Sequence, residues 1–191
     1  MARTKEFDPD SVLRRAMDLF WERGYEQTSL QDLVERMSVG RRSLYDTFGD
    51  KHKLFVRALT QYVAEQEAMA AESAELAPDG RQAVQRLLET SITTGMVLRR
   101  GCLAVNTATE VAPGDPEAFT IVDSHFGRTR RLLLDQIIRG GTDGSISGAG
   151  DPEVLTAALF NVWLGLRVRV RAGTGLDPLM ADLRATLNLL D

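Results

Sequence analysis

Apolar residues recur along the chain at steps of three and four, and no stretch sustains an alternation of period two, so the pattern predicts helices nearly throughout. The first covers about 9–23, with Val12, Leu13, Ala16, Met17 and Phe20 on one face and Gly24 as a C-terminal cap. Short helices are expected at 29–37 and 41–47, followed by a long one from Asp50 with Leu54, Phe55, Ala58, Leu59, Tyr62 and Val63 inward. The run 79–98 repeats the pattern through Val84, Leu87, Leu88, Ile92 and Met96. A shorter helix is expected at 102–111, and 116–139 sets Phe119, Val122, Phe126, Leu133 and Ile137 on one stripe. Helices at about 152–172 and 178–190 close the chain.

The starts carry their own signal. Asp8-Pro9, Asp115-Pro116, Asp151-Pro152 and Asp177-Pro178 each precede an apolar-periodic run. Aspartate accepts from the free N–H groups of a helix start and suits its positive end. Proline fits the first helical position, where its missing N–H costs nothing. Asp50 and Pro78 mark two further starts. The glycine-rich stretch 140–150 is set aside as a phosphate loop, because no strand precedes it and no Gly-Lys-Ser/Thr follows. It reads as a flexible connection.

Composition narrows the class. The 191 residues are 43% apolar and 26% charged, an ordinary balance for a globular chain. One cysteine excludes an internal disulfide framework and a Cys-rich zinc site, and two histidines argue against a histidine metal cluster. No metal and no cofactor are expected. Met1 to Asp10 lacks the apolar core of a signal peptide, and no window holds 18 uninterrupted apolar residues. A cytoplasmic protein with no membrane partner is expected.

Net charge is −4, which by itself gives no hint of nucleic acid, but it is unevenly spread. Residues 1–60 carry +1 and residues 61–191 carry −5. Within 36–57, Arg36, Arg41, Arg42, Lys51, Lys53 and Arg57 face only Asp46 and Asp50, a local charge of +4. That excess lies on two short helices joined by a three-residue turn, which is the pattern of a helix-turn-helix. Leu30, Leu33, Val34 and Met37 would be buried on the first of these helices, and Leu44 and Phe48 on the second. The second helix of such a motif enters the DNA major groove with its early residues at base edges. Here those are Arg41, Arg42 and Ser43. Arginine suits the place because its planar fork can bond guanine O6 and N7 together. Thr28 and Ser29 can cap the preceding helix near a phosphate, and Tyr45, Lys51 and Lys53 can lie along the backbone. Asp46 could read cytosine N4 or face away.

With these residues in place, the stretch from about Asp8 to Phe55 resembles the DNA-binding domain of the tetracycline-repressor (TetR) family. The resemblance rests on Phe20-Trp21-Glu22-Arg23-Gly24-Tyr25, Thr28-Ser29-Leu30, Val39, Ser43-Leu44-Tyr45, Thr47-Phe48-Gly49 and Lys51. Gly101-Cys102-Leu103 with Asn106 and Glu110 is similar to a segment of many such regulators. The resemblance implies an all-α protein. A three-helix helix-turn-helix domain at 1–56 would be joined by a long helix to a helical ligand-sensing and dimerisation domain at 57–191. It implies a ligand-responsive regulator, commonly a repressor, that binds a palindromic double-stranded operator as a homodimer. By position, Thr28, Gln31, Arg41, Arg42, Ser43, Tyr45, Thr47 and Lys51 would contact DNA. Ser38 stands where glycine is frequent, and Thr47 where histidine is frequent. Gly40 and the Arg41-Arg42 pair are less typical and imply a distinct operator sequence.

The last helix spaces Leu176, Met180, Leu183, Leu187 and Leu190 as a heptad-like seam. With the family's four-helix interface in view, Leu159, Trp163, Leu166, Met180, Leu183 and Leu187 are expected at the dimer contact. The resemblance also implies a small-molecule effector held by the middle helices. Met69, Met96, Cys102, Asn106, Phe119, Phe126 and Trp163 are the candidates. His125 is expected at the surface. Cys102 follows Arg99 and Arg100, so a redox-sensing regulator is an alternative, beside a buried apolar role for the thiol. An all-helical interaction module is a further alternative, although it would gain nothing from Arg41 and Arg42. No nucleophile-and-base pair or metal-ligand spacing suggests an enzyme.

Overall fold

The computed structural model describes residues 8–96, 99–148 and 150–191. Among them, the chain forms α1 (Pro9–Arg23), α2 (Leu30–Met37), α3 (Arg41–Phe48), α4 (Lys51–Glu75), α5 (Gly80–Met96), α6 (Leu103–Glu110), α7 (Pro116–Asp143), α8 (Pro152–Arg171) and α9 (Leu176–Leu187), with single 3-10 turns at Ala112–Gly114 and Asn188–Leu190. Val97 and Leu98, the end of one expected helix, lie outside the described residues, as do most of Met1 to Asp10 and Ala149.

Three of the four Asp-Pro pairs act as expected. Asp8 accepts from Asp10 and Ser11 N–H, Asp115 from Glu117 and Ala118, and Asp151 from Glu153. The fourth pair does not start its helix. Gly175 precedes the first residue of α9, so Asp177 and Pro178 already lie inside the first turn. Asp50 caps α4 by accepting from Lys53 N–H, and Asp79 receives Gln82 N–H at the start of α5. Residues 140–150 also differ from a simple linker. The α7 helix continues through Gly140 and Gly141, and Gly144 ends it in the left-handed region at φ 80°. A side chain at Gly140 would collide with Ile146, and one at Gly80 with the Gly140 backbone, so these glycines let α5 and the returning chain lie against α7.

Buried side chains form one large cluster that runs from Val12 in α1 to Leu190 at the end of the chain. In the N-terminal part, Phe20 meets Phe55 edge-on at 5.2 Å between centroids, and Tyr25 sits 4.8 Å from Phe55. The helix α4 crosses the expected boundary between 56 and 57 without a break. Other contacts tie α1 and the turn after it to the C-terminal body. Trp21 Nε1 donates to the Gly101 carbonyl, Arg100 pairs with Asp18 at 2.8 Å, and Glu110 accepts from Glu26 N–H at 2.9 Å. Glycine suits position 24 there because its φ is 87°, in the region that side-chain-bearing residues rarely adopt. His52, at the start of α4, meets Asp115, the cap of α7, at 2.5 Å. Arg171, at the end of α8, donates to the Trp21 and Glu22 carbonyls.

The dimer-contact expectation needs correction. Leu159, Trp163, Leu166, Leu183 and Leu187 are buried within the single chain, and Met180 is half-buried. The five buried residues pack α8 and α9 onto their own body and so are not the exposed surface that a second copy would meet, whereas Met180 keeps accessible surface. The outward face of α8 instead carries Val154, Ala158, Asn161, Gly165 and Val168, all exposed and spaced 4, 3, 4, 3.

Candidate nucleic-acid interface and internal cavity

The helix-turn-helix is held by short-range chemistry. Ser29 and Asp32 form a reciprocal capping box at the start of α2: the Ser29 hydroxyl oxygen accepts from Asp32 N–H, and the Asp32 carboxylate accepts from Ser29 N–H. Hydrogen bonds from Ser29, with Arg23 close by, hold the Asp32 carboxyl below the usual carboxylate range. The turn is made by Ser38, which takes the left-handed conformation at φ 55° and ψ 41°. Val39 is buried beneath it. Leu44 and Phe48 then anchor α3 to the core and leave its opposite face to solvent.

On that face Arg41 and Arg42 lie exposed in the first turn, and Tyr45 is exposed one turn further on. Arg42 and Asp46 approach only to 3.8 Å, with both side chains largely in water, which leaves the guanidinium free to exchange partners. Other basic residues nearby are committed. Arg23 pairs with Asp32, Arg36 with Glu22, and Arg57 stacks on Phe48 while donating to the Thr47 carbonyl. Lys51 lies over the Tyr25 ring at 4.2 Å, which fixes its ammonium at the edge of the motif. Gln31 is exposed and donates to Glu35; Ser43 and Thr47 are half-buried. Thr28 departs from expectation: it is fully buried and its hydroxyl donates to the Gly24 carbonyl, so its side chain offers nothing to a nucleic acid.

A second feature lies in the body between α4, α5, α7 and α8. It is a cavity of about 220 Å³ whose apolar wall includes Ala70, Ala71, Leu87, Leu132 and Leu133. Its polar groups are Gln66, Glu67, Thr90, His125, Arg128, Thr129 and Arg167, and Trp163 forms part of the wall. Of the seven residues expected to line a pocket, only Trp163 does so. Met69 and Phe119 are exposed on the surface. Cys102 is buried in the core, Asn106 donates to the Arg100 carbonyl, and Phe126 packs edge-on against Phe160. Met96 packs half-buried against the core.

His125, expected at the surface, is 3% exposed and faces this cavity. Its Nδ1 lies 3.0 Å from Glu67, which also pairs with Arg128 at 2.7 Å. Burial pushes the imidazole below its ordinary value, and Glu67 offsets part of that shift. Arg167, which no sequence motif singles out, also lines the cavity, and its signal in the sequence is its place among Leu159, Trp163, Leu166 and Val170 on the buried face of α8. The redox alternative gains nothing here, because Cys102 has no exposed surface for an oxidant to reach. Among the described residues no group of three or more His, Cys, Asp or Glu could hold a metal ion, and no helix is long and apolar enough to cross a membrane.

A helix-turn-helix head on an all-helical body with an internal cavity defines a DNA-reading transcriptional regulator. Residues 12–58 match the family model for bacterial regulatory proteins of the tetR family, and residues 81–179 match the tetracyclin repressor-like C-terminal domain. The chain is 30% identical to the uncharacterized HTH-type transcriptional regulator YezE of Bacillus subtilis, over the whole of both chains. It is 29% identical to the HTH-type transcriptional repressor ComR of Escherichia coli, covering 98% of this chain and 90% of that one. A cysteine mutant of the TetR family regulator CifR, solved with 26-bp operator DNA, superposes with a TM-score of 0.88 at 32% identity, covering 99% of this chain and 100% of that one. The chain belongs to the TetR family of transcriptional regulators. Its relatives are regulators and not enzymes.

Proposed function

We propose that this regulator is a ligand-responsive repressor that binds a near-palindromic operator as a homodimer. The observation that carries the DNA reading is the pair Arg41 and Arg42, exposed at the start of α3 with no tight ion pair among the described residues. CifR, 32% identical, was solved with operator DNA, which supports a DNA-binding role for this chain. Gln31, Ser43, Tyr45, Thr47 and Lys51 border the pair and are assigned to base or phosphate contact, and the buried Thr28 side chain takes no part. The cavity beside α4 is assigned to the effector. For the dimer, the exposed small-residue seam of α8, from Val154 to Val168, permits the close helix approach of a four-helix contact, with the exposed Ala181 and Ala185 of α9 beside it.

The test is a gel shift on the DNA upstream of the regulator's own gene, with scrambled DNA as competitor. Selective retention is expected, weakening steeply as salt rises. Replacing both Arg41 and Arg42 with Ala should abolish the selectivity, each bidentate contact being worth about 1–3 kcal/mol. Selectivity that survives the double replacement would sink the assignment.

A further inference from the structure

The cavity holds an arginine with nothing to neutralise it. Arg167 lines the cavity and is 5% exposed. Its Nε and Nη1 are buried and find no hydrogen-bond partner among the described residues. The acidic residue on the wall, Glu67, is already engaged by Arg128 and His125. A guanidinium does not release its proton, so burial leaves a fixed charge in a medium of low dielectric. Trp163 covers one face of that charge, with the guanidinium carbon 4.4 Å from the ring centroid. An aromatic face attracts the cation but gives its in-plane N–H groups no acceptor. His125 brings no negative charge to Arg167: its Nδ1 lies 3.0 Å from the same Glu67 carboxylate, and its buried Nε2 also lacks a partner among the described residues. Arg167 is therefore a buried cation with unused N–H donors beside a mostly apolar pocket.

We propose that Arg167 anchors the carboxylate of a small organic acid with an apolar body, and that this acid is the effector. The inference rests on the ligand-responsive reading above. A carboxylate accepts charge-assisted hydrogen bonds from a guanidinium and supplies the missing negative charge. The body of the acid would lie against Ala70, Leu87, Leu132 and Leu133. The cavity volume of about 220 Å³ lies below the ~300–1,000 Å³ of sites for larger ligands, which favours a short-chain or monocyclic acid. An inorganic anion would leave the apolar wall uncovered.

The purified full chain is titrated with benzoate, butyrate and hexanoate. The matching primary amides serve as neutral controls, and inorganic phosphate as an anion without an apolar body. Trp163 is one of two tryptophans, so fluorescence reports occupancy, with thermal shift as a second readout. At least one acid should bind saturably, about tenfold or more tighter than its amide. Arg167→Gln should erase that preference, and Arg167→Lys should retain part of it by keeping the charge. The acid-to-amide comparison in the unaltered protein does not depend on how either variant folds. An amide that binds as well as its acid overturns the proposal, as does a preference that survives Arg167→Gln. A response to phosphate alone, or to none of the acids, overturns it too. Those failures would leave selective operator binding by the same preparation intact, whereas loss of operator binding in the unaltered protein would instead remove the regulator reading.

Discussion

At the scale of single residues, Ser38 shows a local constraint that was open to reading in advance. A three-residue turn between two short helices leaves little choice but a left-handed residue, and serine adopts it at φ 55°. The Cβ penalty for that conformation is about 1–2 kcal/mol, and glycine avoids it while losing somewhat more backbone entropy on folding. Ser38→Gly is therefore expected to stabilise the protein by about 0.5–1 kcal/mol, which a thermal melt would register as a rise of roughly 1–4 °C. Operator affinity should hold, because Ser38 sits in the turn and not on the face that carries Arg41 and Arg42. A fall in melting temperature would show that the serine contributes something the glycine cannot replace. Other single residues were not legible in the same way. Thr28 reads from its type as a surface cap, but the fold uses its hydroxyl on Gly24. His125 reads as polar surface, because periodicity alone does not say that four helices converge around it. Local geometry is written within a few residues of the sequence; a cavity is written across α4, α5, α7 and α8 together.

At the scale of elements, helix starts followed from aspartate chemistry until two signals competed. Asp8, Asp115 and Asp151 each cap a helix, whereas α9 begins two residues before Pro178 because Gly175 takes the cap position. The seam of α8 shows a different ambiguity. One seam of large residues, among them Leu159, Trp163 and Leu166, and one of small residues, Val154 to Val168, are interleaved on the same helix at helical spacing. The period is evident in the sequence, but which seam meets a second copy is not. The large residues face the protomer's own core, where they bury more apolar area, and this leaves the small ones for a close helix approach. Gly165→Glu and Val168→Glu are accordingly expected to give folded monomers by light scattering, with helicity and melting behaviour retained before dissociation. Leu183→Asp should behave differently, since Leu183 is 1% exposed and a charge there costs several kcal/mol of folding free energy. If the α8 variants remain dimeric, the contact lies on another face.

At the scale of the whole molecule, the overall charge of −4 conceals a division of labour: the +4 stretch at 36–57 belongs to the head, and the acidic excess belongs to the body. The acidic surface disfavours docking of the body onto DNA and so favours the reading helix as the face presented. A ligand in the body can act on that face only through contacts that join the two, and by no more than its differential affinity for the two arrangements. One route is short. Arg167 and Arg171 are a single turn apart on α8; the first faces the cavity, and the second donates to the Trp21 and Glu22 carbonyls at the end of α1. The Arg167 carbonyl also lies against Gly101, whose own carbonyl accepts from Trp21 Nε1, so a shift of α8 would be felt by α1 at two points. Arg171→Ala should therefore leave acid binding and ligand-free operator binding nearly unchanged while weakening their coupling. The quantity to measure is the ratio of operator Kd with saturating benzoate, or whichever acid binds, to Kd without it. Coupling of this kind typically amounts to about 1–3 kcal/mol, or 5–150-fold, and in the variant the ratio should move towards unity. Reciprocity supplies the control: the operator must alter acid affinity by the same factor, and that factor must fall in parallel. If the ratio is unchanged in Arg171→Ala, the contacts of Arg171 with the end of α1 do not carry the signal.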